Sequence, residues 1–398
     1  MKLETKLIHG GPLLDEYTGS SSIPIYQAST FHQAHFTEPQ EFTYTRFGNP
    51  TRKALEETIA CLECAEYGFA FSSGMAAISA VLLNFSMGDH VILCKDIYGG
   101  TYQLVTELFP KYGIEYSFVD ETSLSSWQEA IKENTRGIYI ETPSNPLLTI
   151  TDISGVVQLA KEHNIMTIID NTFMTPIYQN PIKLGVDIVI HSATKFINGH
   201  SDVTAGLVVT SDEVIADTLY KTQKMMGSML DPYNCWLVLR GIKTMSVRME
   251  KEVENADFIA KELQKHSKVK AVYYPSLTNH IGKEVHFSQA SSGGAVLTFD
   301  LGNYENVKDF FANVKIPIVA VSLGGVESIL SYPFTMSHAV IPEKERLELG
   351  VTDGLIRLSC GIENKYDLLN DLLNALDYIK VEPHGGEKYV KEVNKLHG

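Results

Sequence analysis

Lys195 lies where its surroundings could turn an ordinary side chain into a reactive one. It belongs to the stretch VDIVIHSATKFINGHSD, residues 186–202, with Ser192 and Thr194 just before it. Val186, Ile188, Val189 and Ile190 form an apolar, β-branched run, which predicts a strand buried on both faces. A lysine at the mouth of such a strand has its pKa depressed, because burial disfavours the ammonium. The amine can then act as a base or attack a carbonyl. This run alone leaves a second reading open, in which the side chain reaches back to solvent.

Other strand ends carry polar residues that could meet the lysine. Ser73-Gly74-Met75 lies between a predicted strand and helix. Glycine there lets backbone N–H groups approach an anion at the helix N-terminus, although it also suits a plain turn. Tyr98-Gly99-Gly100 follows another strand, where a tyrosine can stack on a flat ligand or cap the core. Residues 141–145 (ETPSN) follow a third strand. Asp170 ends IMTIID, and a carboxylate buried there needs a cationic partner or water. The set amounts to a phosphate cradle, a ring platform, a carboxylate and an amine. Pyridoxal 5′-phosphate uses all four: the lysine bonds its aldehyde, the aspartate keeps its ring nitrogen protonated, and the phosphate anchors the far end.

Two other classes compete. Ser192-Ala193-Thr194-Lys195 matches S-x-x-K, the acyl-serine motif of β-lactamase-like hydrolases. That motif opens a helix and needs S-D-N and K-T-G; here Val203 follows Ser201-Asp202, and K-T-G is absent. G-x-S-x-G is absent as well. A binding module without chemistry leaves Lys195 and Asp170 unexplained. Cys61 and Cys64 form a CxxC pair, but it lies late in a helical stretch with no second pair, which favours packing over zinc or redox work. His32 and His35 have no third ligand nearby and read as surface residues. No metal is expected.

The elements that must position these residues alternate from about residue 50. Strands are predicted at YGFAF, HVILC, IEYSFVD, RGIYIET, IMTIIDNTF and TAGLVVT, with helices between the earlier ones. Such alternation implies right-handed βαβ crossovers and a mostly parallel sheet, with ligands beyond the C-terminal strand ends. Thr51 is the expected cap of the first long helix. One long helical region is expected over residues 231–265. The remainder mixes strands and helices in an α+β manner. Residues 1–50 form an irregular arm rich in aromatics, of the kind that packs on a neighbouring subunit. The expected division is an arm (1–50), a large domain (51–250) and a small C-terminal domain (251–398), with residues 382–398 a loosely held tail.

The net charge of −15 argues against nucleic acid. No apolar run reaches the ~20 residues of a membrane span, and MKLETKLIHGG does not read as a signal peptide. Five cysteines, an odd and scattered set, suit a reducing cytoplasm.

At IPIYQASTF, YTRFGNPTR, FSSGMAAISA, DIYGGTY, ETPSNPLL, IIDNTF, DIVIHSATKFINGHSD, LRGIKTM, VSLGGVESILSYP and DGLIRLSCGIE the sequence resembles the Cys/Met-metabolism (trans-sulfuration) family of pyridoxal-phosphate enzymes. The resemblance implies an α/β fold of the type I transferase kind: a mostly parallel central sheet with helices on both faces, an α+β C-terminal domain and an N-terminal arm. It implies Lys195 as the cofactor lysine and Asp170 as the ring-nitrogen partner. Tyr98 would stack on the ring and join in catalysis, while Gly74, Met75, Ser192 and Thr194 would bind the phosphate. Tyr44 and Arg46 would reach the phosphate of a neighbouring subunit in a homotetramer of dimers. Asn145, Ser322 and Arg357 would hold the substrate carboxylate. Val321, which stands where γ-lyases often carry glutamate, would line the substrate site. Within the family, VSLGGVESILSYPFTMSHA and VHFSQA are most similar to cystathionine β-lyases. Gln103 and Phe47 depart from the usual pattern and favour smaller substrates such as cysteine or homocysteine. The implied activity is a β-elimination giving pyruvate, ammonia and a thiol such as homocysteine. γ-Elimination to 2-oxobutyrate is the alternative.

Overall fold

The apolar runs become strands of two sheets in a computed structural model that describes residues 1–12 and 14–379. The tail expected at residues 382–398 lies outside the described residues. Seven strands form the first sheet: β1 Tyr67–Phe71, β2 His90–Cys94, β3 Glu115–Val119, β4 Thr135–Glu141, β5 Met166–Asp170, β6 Ile188–His191 and β7 Gly206–Thr210. Their order is β1-β7-β6-β5-β4-β2-β3. Only β7 runs against its neighbours. Every residue of β2, β6 and β7 is buried, as expected for strands covered by helices on both faces.

The second sheet contains β8 Ala271–Tyr273, β9 Val296–Asp300, β10 Ile318–Val319, β11 Ile329–Ser331 and β12 Leu355–Ser359, in the order β10-β11-β12-β9-β8. It is antiparallel except between β10 and β11. Each sheet has its own apolar core. The helix Met245–Leu263 serves both, with Met245 and Met249 in the first and Ala256, Ile259, Ala260 and Leu263 in the second.

Several local expectations change. Asn49, not Thr51, caps the helix Pro50–Glu63, accepting from the Thr51 and Arg52 N–H groups, with Pro50 in the first turn. The Thr51 hydroxyl instead donates to the Pro24 carbonyl and accepts from the Tyr26 N–H, which ties down the arm. The region 231–265 is two helices, Pro232–Ile242 and Met245–Leu263, broken at Lys243-Thr244. The break follows Gly241, whose position has no room for a Cβ against the Asn198 carbonyl, 2.3 Å away. A helix at Leu3–His9 interrupts the irregular arm, and a helix at Glu213–Met226, capped by Asp212, lies beyond β7. No described helix is long and apolar enough to cross a membrane.

Candidate active site

The C-terminal ends of β1, β2, β4, β5 and β6 meet; Asp170 closes β5, and Gly74, Met75, Tyr98, Asn145, Ser192, Thr194 and Lys195 lie just past strand ends. Past β6, residues 192–199 form turns rather than the helix that an acyl-serine motif requires. Lys195 Nζ donates to Ser322 Oγ at 2.6 Å. Burial, aided by the Arg357 charge and opposed by Asp170, lowers its pKa to about 8. The end of β6 is fixed from behind: His191 Nε2 shares a 2.6 Å hydrogen bond with Glu63 Oε1, both side chains fully buried. From the helix Met245–Leu263, Arg248 donates to the carbonyls of Phe196 and Gly241, each at 2.9 Å.

Asp170 closes β5. It accepts hydrogen bonds from the N–H and hydroxyl of Thr172, and the Thr172 hydroxyl in turn accepts from the Ser192 N–H at 2.8 Å. Burial pushes the Asp170 carboxyl upward in pKa, against those bonds and the His191 and Lys195 charges. No lysine, arginine or histidine among the described residues forms an ion pair with it. The carboxylate therefore suits a cationic ring nitrogen brought by a ligand.

The cradle rests on missing side chains. A Cβ on Gly74 would lie 2.8 Å from Ser192 Oγ, and one on Gly100 would lie 2.6 Å from the Tyr98 ring and 2.7 Å from Met75 Sδ. Gly74, Met75, Tyr98 and Ser192 are therefore neighbours around the N-terminus of the helix Gly74–Leu82. Ser73 caps that helix through the Ala76 N–H. The Thr194 hydroxyl exchanges hydrogen bonds with the backbone of Ala205, so its place there is fixed by β7's approach.

Arg357, on β12 of the second sheet, is 4% exposed. One terminal nitrogen donates to Asn145 Oδ1 at 2.8 Å and the other to the Ser322 carbonyl at 2.7 Å. Its buried Nε has no partner among the described residues. Ser322 has φ +93°, a left-handed conformation that costs an L residue energy. Val321 beside it is 65% exposed.

Tyr44 and Arg46 are not brought to this cluster within the chain. Arg46 donates to the Lys224 carbonyl and lies over the Tyr44 and Phe47 rings, against the helix Glu213–Met226. The sequence assigns no role to Thr172 or Glu141. Glu141 accepts from the Tyr98 N–H with both oxygens at 3.1 Å. The sequence signal was a carboxylate at a strand end; its place beside Asp170 comes from the β4–β5 register.

These residues fit pyridoxal phosphate: an unpaired carboxylate, a half-buried amine, an open aromatic face and a helix N-terminus that glycine keeps accessible. The model of the Cys/Met metabolism PLP-dependent enzyme family matches residues 4–377. The chain is 55% identical over 377 residues to cystathionine beta-lyase MetC of Bacillus subtilis, covering 95% of this chain and 97% of that one. It is 50% identical to the cystathionine beta-lyase of Lactococcus lactis, covering 94% and 99%. It is also 49% identical to the cystathionine gamma-lyase of Bacillus subtilis, covering 95% and 100%. Among solved structures, cystathionine gamma-lyase from Lactobacillus plantarum, complexed with L-serine, superposes with a TM-score of 0.93 at 43% identity, covering 95% of this chain and 99% of that one. The chain belongs to the family of Cys/Met metabolism PLP-dependent enzymes.

Proposed function

We infer that the chain is a PLP-dependent carbon–sulfur lyase of the cystathionine β-lyase type, cleaving cystathionine to homocysteine, pyruvate and ammonia. The single observation that carries this reading is the convergence of Lys195, Asp170 and Arg357 on one site, in a chain 50–55% identical to two cystathionine beta-lyases. Bound pyridoxal phosphate supplies an aldehyde that an amine can bond and a ring that draws electrons from the substrate's α-carbon.

The chain's own residues do the rest. Asp170 would hold the ring nitrogen and keep a proton there. Tyr98 would cover the ring face, and the N–H groups at Gly74 and Met75, with Ser192 and Thr194, would hold the phosphate. Arg357, aided by Asn145 and Ser322, binds the substrate carboxylate; its fork suits that group. This holds the α-hydrogen toward Lys195 Nζ. An amine with a pKa of about 8 is neutral in roughly a tenth of molecules at pH 7, far more than an ordinary lysine. Neutral Nζ takes the α-proton, and Nζ or Tyr98 Oη protonates the leaving thiolate. Val321 borders the side-chain end of the substrate.

Tyr44 and Arg46 complete the phosphate site of a neighbouring subunit, in a homotetramer built from dimers that share sites. The contacts of Arg46 with Lys224, Tyr44 and Phe47, rather than with Gly74 or Ser192, support this, as do the exposed Phe36, Met225 and Tyr233. The five free cysteines support a cytoplasmic setting. The two cores support a large cofactor domain and a small C-terminal one.

The test is the keto acid formed from cystathionine by the purified holoenzyme. Pyruvate with homocysteine is expected; 2-oxobutyrate with cysteine would replace this reading by γ-elimination.

A further inference from the structure

Glu141 closes β4, and the register sets it directly beside Asp170 on β5. Paired residues on adjacent strands project to one face, so two carboxyl groups share the edge where the cofactor ring would lie. Glu141 is 7% exposed and has no ion-pair partner among the described residues. Both of its oxygens accept from one donor, the Tyr98 N–H. Tyr98 opens the helix Gly99–Tyr112 without any side-chain cap of its own kind. Glu141 is thus a cap supplied from another strand.

The groups facing it are nearly all acidic or neutral. Asp170 comes from β5, Asp96 from just past β2, and Glu121 from just past β3. Cys94 at the end of β2 and Tyr139 on β4 also feel its charge. The nearby cations are spent elsewhere: Lys195 on Ser322, Arg357 on Asn145 and Ser322. Two adjacent carboxyl groups in a dry site cannot both ionise cheaply. Burial and Asp170 both push the Glu141 carboxyl well above the ordinary carboxyl range.

We propose that Glu141 is a positioning residue that keeps its proton in the working enzyme, capping Tyr98 as a neutral acid and leaving Asp170 as the one carboxylate charge at the cofactor ring. The proposal rests on the pyridoxal-phosphate reading of the site. It gives Glu141 two tasks. Its carbonyl holds the backbone of the ring platform, and its neutrality preserves the charge contrast on which Asp170 acts. When pH rises through its pKa, the proton leaves and a second negative charge appears beside Asp170.

The variant Glu141→Gln keeps an acceptor of the same size but has no titratable proton. Infrared difference spectra of wild type against E141Q, as holoenzyme near neutral pH, should show a protonated carboxyl C=O stretch lost in the variant. Loss of a carboxylate stretch instead would overturn the proposal. The midpoint of the pH-dependent change in cofactor absorbance should move by less than about 0.3 units in E141Q; a fall of more than about one unit would mean that a negative charge had been removed. Glu141→Ala should weaken cofactor retention at least about tenfold, with E141Q close to wild type. Should E141Q fail to fold, Glu141→Asp serves in the infrared comparison, where the carboxyl stretch should shift rather than vanish; an unshifted band would assign it to another residue. Were wild type to show no cofactor absorbance at all, the cofactor reading would fall, while the infrared result would still decide the protonation of Glu141.

Discussion

Lys195 Nζ on the first sheet's turn donates to Ser322 Oγ on the second sheet's loop at 2.6 Å. Ser322 holds this position at φ +93°, and its carbonyl accepts from Arg357. One residue in a disfavoured conformation therefore touches both the amine and the guanidinium.

Ser322→Gly separates these roles, because glycine adopts positive φ freely. Stability should rise by up to about 1 kcal/mol in denaturant unfolding, while kcat falls about tenfold as Lys195 loses its partner. Lower stability with unchanged kcat would show that the conformation carries no strain tied to function.

Lys195→Ala should abolish the visible absorbance of bound cofactor and the lyase activity together. An unchanged spectrum would show that another group holds the aldehyde. A β-lactam probe should leave Ser192 unlabelled.

Arg357→Lys keeps the charge but loses the fork that reaches Asn145 and the Ser322 carbonyl at once. The expected loss is about 10²–10³ in kcat/KM, mostly in KM, as for an interaction made with both the bound substrate and its transition state. Equal KM in steady-state assays would remove Arg357 from carboxylate binding.

If Arg46 serves a neighbour's site, two defective chains can repair each other. Arg46→Ala and Lys195→Ala homo-oligomers should each be weak or inactive. Unfolded together and refolded with cofactor, they should recover activity at the hybrid sites that pair an intact Arg46 with an intact Lys195. No recovery would place Arg46 with its own chain's site.

Glu252 is fully buried and neither of its oxygens has a partner among the described residues. Burial raises its pKa to about 8, with the Arg248 charge opposing. The unfolded chain releases this proton near pH 4.5, so between there and pH 8 the folded state binds more protons and stability falls as pH rises. Glu252→Gln should remove that slope, with the gain in stability largest near pH 8 and little near pH 4.5. A gain independent of pH would mean that Glu252 does not titrate there.

The first sheet was readable because its strands are short apolar runs between helices of clear period, and β1 and β2 match YGFAF and HVILC residue for residue. The first helix cap is ambiguous in the sequence because Asn49 and Thr51 are both good caps, and only Pro24 and Tyr26, distant in sequence, claim Thr51. Lys195, Asp170 and Tyr98 stand out as polar residues at strand ends. The Lys195–Ser322 and Arg357–Asn145 bonds span 127 and 212 residues, so local periodicity carries no trace of them. Glu141 was visible as a strand-end carboxylate, but its partnership with Asp170 depends on the register of β4 and β5.

Arg248 grips the carbonyl of Phe196, the residue after Lys195, from a helix whose far half is anchored in the second core. That helix therefore couples the second core to the turn that carries Lys195 through one guanidinium–carbonyl contact.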